Sequence, residues 1–289
     1  MNTNTEALDT ETFLVTAATG RSGRRVLRHL ENRHAMVRAA SRRSAPPLDW
    51  HDPSTWDAVL DGVSGVYLCY APDIAAPEAP EVLGGFARRA ADHGVARAVL
   101  LSGRGGDAAV PTEEAVRASG LDLTVVRCAW FAQNCTEHFL ADQLRRGVVR
   151  VPASAGAGEP FVDLEDVAEL VARLLLGQVQ TPEVVEATGP AGLTYRDLAA
   201  VAAEVLDRPV DFRSVSAEEF VRESVEHGMH PAEAEAIAWL YAHVVDASTA
   251  APTPDLAVSL GRPATGLHDV LHRELLTGES AAPATGSPV

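Results

Sequence analysis

The chain contains no lysine: all 24 of its basic residues are arginine. That excludes any mechanism built on a lysine amine, including a Schiff base, a Walker-type phosphate loop and a Tyr-x-x-x-Lys proton relay. Acidic residues number 40, for a formal net charge of −16, and no basic run offsets them. A nucleic-acid backbone or an anionic membrane surface would be repelled, so neither partner is expected. Cysteine is scarce. Cys69, Cys128 and Cys135 show neither a Cys-x-x-Cys pair nor a framework spacing, which reads as buried free thiols in a reducing cytoplasm. No apolar run approaches membrane-spanning length, and Met1 to Glu11 lacks the charged and apolar regions of a signal peptide, so a cytoplasmic location is expected. No Gly-x-Ser-x-Gly elbow occurs, which argues against Ser102 as a hydrolase nucleophile. The pairs His268/His272 and His227/His230 have helical spacing but no third ligand, so no metal is expected.

What the chain does have begins at Thr12. An apolar strand runs into Thr16-Ala-Ala-Thr-Gly-Arg-Ser-Gly23, whose Gly20 and Gly23 open a helix. This is how a dinucleotide-binding unit starts. Gly20 lets the backbone approach a pyrophosphate, Gly23 lets the helix pack close to the strand, and free N–H groups at the helix start attract the anion. The motif's first glycine is replaced by Ala17. At 289 residues and 46% hydrophobic, the chain can bury one large domain or a domain with a smaller lobe.

Apolar runs at 13–17, 36–40, 66–70, 98–102 and 121–127 alternate with helix-period segments at 24–31, 56–60, 81–93 and 112–119. The alternation predicts an α/β fold, a Rossmann-type doubly wound parallel sheet with its ligand at the carboxyl ends of the strands. Beyond Trp130 longer helices take over, at 131–146, 164–176, 194–206, 217–226 and 231–246, with short apolar runs at 184–188 and 210–215. We read residues 12–130 as the dinucleotide domain and 131–276 as a smaller, mainly helical substrate lobe sharing strands with it. The tails, 1–11 and 277–289, are polar or rich in Ser, Ala, Pro and Gly and read as disordered. Ser216 with Glu219 forms a capping-box pattern, Asp163 and Thr194 stand at helix starts, and Glu113 and Glu114 favour a helix N-terminus.

The second strand ends in Ala40-Ser-Arg-Arg43, about twenty residues past the turn, where an NAD-preferring fold carries an acid for the ribose hydroxyls. Arginine there points to a 2′-phosphate, hence NADPH. Arg42 is the first candidate for its clamp, with Arg21 and Arg43 nearby; ordinary surface arginines are the competing reading.

At these residues the chain resembles the NmrA-like atypical short-chain dehydrogenases, and within them the ergot-alkaloid reductases of the festuclavine synthase and agroclavine dehydrogenase type. The likeness runs from about Thr12 to Leu271 and also rests on Asp49–Trp56, Val99–Ser102, Ser119–Arg127, Trp130-Phe-Ala-Gln-Asn134, Phe161–Asp166 and Gly189–Tyr195. Ala17 and a shortened segment after Ser102 depart from the pattern. The resemblance implies that Thr19, Gly20, Arg21, Ser22, Gly23, Ser41, Arg42 and Asp52 hold the phosphate and adenine-ribose side. It places Tyr70, Ala71, Pro72 and Ser102 beside the nicotinamide, and Trp130, Phe131, Asn134, Phe161 and Tyr241 around the substrate. Ordinary core packing would account for at least two of those four aromatics. Ser102 and Asn134 are the only catalytic candidates, and Asn134 has a structural reading too, tying a helix start to a loop.

The missing lysine shapes the chemistry. Reducing a ketone creates an alkoxide that needs an acid, whereas an iminium carbon is already electrophilic and accepts hydride to become a neutral amine, and a quinone or enone needs modest help. The resemblance therefore implies an NADPH-dependent reductase of an activated small molecule, iminium or imine, quinone or enone, in secondary metabolism. A redox sensor that binds the dinucleotide and a protein partner without turnover, and a non-redox cyclase or isomerase on the same scaffold, are the alternatives.

Overall fold

The computed structural model describes residues 11–276 except 72, 106, 155 and 246–249. Of the expected tails, all but Glu11 lie outside the described residues, as does Pro72. Strands β1 (Thr12–Val15), β2 (Met36–Ala39), β3 (Val63–Leu68), β4 (Arg97–Gly103) and β5 (Asp122–Cys128) alternate with helices α1 (Arg21–Glu31), α2 (Trp56–Leu60), α3 (Ala79–Asp92) and α4 (Val110–Arg117). The sheet runs β2-β1-β3-β4-β5-β8, where β8 is Val184–Ala187, and every pairing in it is parallel. The inner strands carry unbroken apolar stretches, Phe13–Val15, Val66–Leu68 and Ala98–Leu101, because both faces are covered. Phe13, Val15 and Tyr67 pack on one side with Val26, Leu30 and Val171, while Leu14, Val66 and Leu68 pack on the other with Leu83 and Phe86. This is the expected doubly wound Rossmann-type sheet, and its winding reverses between β1 and β3, the switch point at which such sheets bind ligands.

After β5 the chain departs from the expected single helix over 131–146. It forms α5 (Asn134–Glu137) and α6 (Phe139–Arg145), broken at His138, whose backbone is extended at φ −136° and ψ −163°. Side chains fasten the break. Gln133 Nε2 donates to Asp163 and Glu274 at 2.7 and 2.8 Å, Thr136 donates to Glu274, and the His138 ring meets Glu233 at 2.9 Å. Helix α7 (Leu164–Leu175) follows, its start fixed by Asp163 accepting from the Glu165 amide. Helix α8 (Tyr195–Leu206) opens with a full capping box of Thr194 and Asp197, and α9 (Ala217–Glu226) with Ser216 accepting from the Glu219 amide. Helices α10 (Pro231–His243), α11 (Asp255–Leu260) and α12 (Leu267–Leu276) complete the described chain. Short strands β6 (Val148–Val151) and β10 (Asp211–Ser214) pair in parallel, and β7 (Gly158–Glu159) and β9 (Leu193–Thr194) pair antiparallel. Among the described residues no helix is long and apolar enough to cross a membrane. All three cysteines are buried free thiols, and burial pushes the Cys135 thiol up to about 12.

Candidate dinucleotide crevice and adjoining cleft

The glycine turn sits at the carboxyl end of β1, against the ends of β2 and β3. Buried Thr16 ties it down, donating its hydroxyl to the Tyr67 carbonyl at 2.9 Å and accepting from the Cys69 amide at 2.8 Å. No side chain caps α1, and its first turn carries no acid. Its leading N–H groups are therefore available to an anion, and the dipole favours one. Gly23 is buried, and a Cβ there would lie 2.2 Å from the Ala17 carbonyl oxygen, whereas at Gly20 that oxygen lies 3.1 Å away and only Ala17 is within 4 Å. Gly23 thus sets the helix-to-turn packing. Gly20 leaves space above the turn.

The sequence candidates fall into distinct environments. Thr19 is exposed at the turn, and Ser22 is buried with its hydroxyl 3.7 Å from the Cys69 sulfur. At the end of β2, Ser41 Oγ accepts from the Arg43 amide at 3.2 Å. The guanidiniums of Arg42 and Arg43 are exposed, with no ion-pair partner among the described residues. Asp52 is exposed and caps the 3₁₀ turn Pro53–Thr55, accepting from the Ser54 amide at 3.0 Å. Arg21 turns away from the turn, towards the segment after β5, where its guanidinium donates to Asn134 Oδ1 at 2.7 Å. Tyr70 is buried against Trp50, and burial, with Glu78 nearby, raises its phenol above the ordinary value; Ala71 is partly exposed beside it.

Ser102 ends β4 fully occupied. Its hydroxyl donates to Glu113 at 2.6 Å, and Glu113 also takes two guanidinium nitrogens of Arg127. Burial alone would raise the Glu113 carboxyl, but Arg127 and Ser102 outweigh it and hold it below its ordinary value. Sequence reading assigns Glu113 to a helix N-terminus and misses this role; the fold alone places it behind a strand end eleven residues away.

The substrate-side aromatics also divide. Phe161 and Tyr241 are core, 2% and 3% exposed, and Tyr241 packs on Trp130 at 4.8 Å and on Tyr195 at 5.4 Å between ring centroids. Trp130 and Phe131 are partly exposed. Phe220 continues the aromatic cluster from Tyr241 to Phe139. Phe139 and Phe220 in turn wall a cleft of about 540 Å³ between α1, α5, α6, α9 and α10, which Arg21, His138, Met229 and Glu233 also line. Sequence spacing carries no signal for this cleft, because its walls come from three separate stretches of chain, 21–24, 136–150 and 220–233. Burial and the neighbouring Arg21 push the His138 imidazole below its ordinary value, against the pull of Glu233.

No family model matches the chain. An uncharacterized oxidoreductase of Bacillus subtilis, YesF, is 30% identical over 238 residues, covering 76% of this chain and 80% of that protein. Agroclavine dehydrogenase of Claviceps fusiformis is 27% identical over 243 residues, covering 77% and 83%. An NADPH-dependent quinone oxidoreductase of Escherichia coli, solved with NADPH, shares the fold at a TM-score of 0.77 and 19% identity, over 91% of this chain and 99% of that one. The chain belongs to the NmrA-like atypical short-chain dehydrogenase/reductase family.

Proposed function

We propose that the chain is an NADPH-dependent reductase that delivers hydride to an activated small-molecule acceptor, a quinone or enone or an iminium or imine, in secondary metabolism. The observation that carries it is the uncapped, acid-free start of α1 at the β1/β3 switch point, with two unpaired arginines where an NAD-preferring fold carries an acid. The names of the relatives, a clavine dehydrogenase and a quinone reductase, support the same reading.

The residues present fit the coenzyme. The first N–H groups of α1 would hold the pyrophosphate, and Arg42, with Arg43, the 2′-phosphate. NADPH, when bound, supplies the hydride. Around the strand ends the chain offers positioning rather than acid catalysis. The Ser102 proton is committed to Glu113, Asn134 holds Arg21 through its oxygen and has only amide hydrogens left, and buried Tyr70 is a weak acid. An acceptor that needs little protonation suits such a site.

Arg42→Ala should weaken NADPH binding about tenfold or more while leaving NADH within about twofold, since one charge-assisted hydrogen bond contributes about 1.5–3 kcal/mol. Equal losses for both coenzymes in a fluorescence titration would remove the clamp. NADPH that binds but is not oxidised by quinone, enone or iminium acceptors would favour the sensor alternative.

A further inference from the structure

We infer that the cleft between α1, α6, α9 and α10 is a binding site for a ring-bearing organic anion, whose carboxylate or sulfonate is read by Arg21. The pairing of charges around the cleft leaves that arginine without an ion pair among the described residues. Glu137 is held by Arg24 at 2.6 Å, Asp142 by Arg145, Glu223 by Arg150 at 2.8 Å, and Glu233 by the His138 ring at 2.9 Å. Each carboxylate in the lining thereby has a partner, but the His138 ring, held below its ordinary value, gives Glu233 a hydrogen bond and no charge. Two guanidiniums remain. Arg21 has only the neutral carboxamide of Asn134, and the exposed Arg146 has no side-chain partner among the described residues.

A partly buried arginine set beside an amide, with Glu137 and Glu233 acting on it only through space, keeps donors free for an anionic ligand. In a chain of net charge −16, a concave lining in which five guanidiniums face four carboxylates is a local exception that favours anions. The rest of the wall selects what carries the anion. Phe139, Phe220 and Met229 give flat and adaptable apolar contact, and about 540 Å³ suits a two- or three-ring molecule. Resting on the reductase reading, the ligand is the acceptor: an acid-bearing quinone or enone fits, whereas a cationic iminium would add charge to a lining already in excess by one guanidinium.

The test is calorimetric titration of the full chain, with NADP⁺ present so that no turnover occurs, using anthraquinone-2-sulfonate and neutral 2-(hydroxymethyl)anthraquinone. The sulfonate should bind about tenfold tighter or more, and Arg21→Gln should reduce it to the level of the alcohol. Ser224→Trp, which fills the cleft from α9, should weaken both. If Arg21→Gln does not fold, Arg146→Gln at the rim should still reduce the sulfonate preference about two- to fivefold. Equal affinities in the unmutated chain, a preference that survives both arginine variants, or displacement of the sulfonate by NADP⁺ would overturn the site, the last by giving Arg21 to the coenzyme phosphates. Oxidation of NADPH by the same quinones is scored separately. Anion preference without oxidation keeps the site and removes quinones from the reductase reading, and oxidation without preference keeps the reductase reading and removes the site.

Discussion

Ala17 holds a left-handed backbone, φ 47°, at the position where a dinucleotide turn carries its first glycine. A Cβ in that region costs about 1–2 kcal/mol, while glycine loses about 0.5–1 kcal/mol more chain entropy on folding. The two nearly cancel. Ala17→Gly is therefore expected to move Tm by no more than about 4 °C, whereas β-branched Ala17→Val should lower it clearly. Gly23 has no such latitude, because an added Cβ would meet the Ala17 carbonyl carbon at 2.7 Å as well as its oxygen at 2.2 Å. Gly23→Ala must push backbone from backbone and should destabilise by about 1–3 kcal/mol. Thermal melts of the three variants check this, and a Gly23→Ala melt superimposing on the unmutated chain would remove the packing role. The separate duties of Gly20 and Gly23 are legible in the sequence because the turn is local. The Ser102–Glu113–Arg127 cluster is not, since Glu113 and Glu114 look alike until the fold buries one of them at 1% exposure.

Between elements, the strongest connection runs from α1 to the second half of the chain. Arg25, 5% exposed, reaches Glu137 on α5, Glu165 on α7 at 2.9 Å and Glu274 on α12 at 3.6 Å, and Arg28 also pairs with Glu165. Burial would raise the Glu137 carboxyl, yet Arg25 and Arg24 hold it below its ordinary value. A carboxyl depressed in the folded chain stabilises fully above its unfolded value of about 4.3, and that contribution is lost as pH falls below it. Unfolding free energy should drop on acidification from pH 5 downward. Glu137→Gln leaves Arg25 with Glu165 and Glu274 but removes one buried charged partner, so it should cost about 1–3 kcal/mol at pH 7 and flatten the acid limb. Urea titrations at pH 7 and pH 4 measure both; an unchanged acid limb in the variant would show that the pair does not carry it. Periodicity exposes the helices on which these residues sit, but not the break at His138, because the apolar spacing runs on across it. Strands β7 and β9 have two residues each, too few for any alternation to register.

Across the molecule, the sequence divides the chain near Trp130, and its composition does change there. Packing runs across that line. Strand β8 joins the main sheet beside β5, and one face of the sheet is covered by Val167, Leu170, Val171, Leu174 and Leu175 of α7 together with Leu256 and Leu260 of α11. Residues 12–130 alone would leave that face, including Phe13, Val15 and Tyr67, which are buried here, with only Val26 and Leu30 of α1 over it. Burying an apolar side chain of that size contributes about 1.5–3 kcal/mol, and a domain's net stability is only about 5–15 kcal/mol. We therefore propose two lobes that fold as one cooperative unit. Far-ultraviolet circular dichroism and tryptophan fluorescence should report coincident urea transitions, since Trp50 and Trp56 sit before the division and Trp130 and Trp239 at or after it. A fragment ending at residue 130 should show no sigmoidal transition. Separate midpoints for the two probes, together with a fragment that melts cooperatively, would mean that the second half merely rests on a domain already complete.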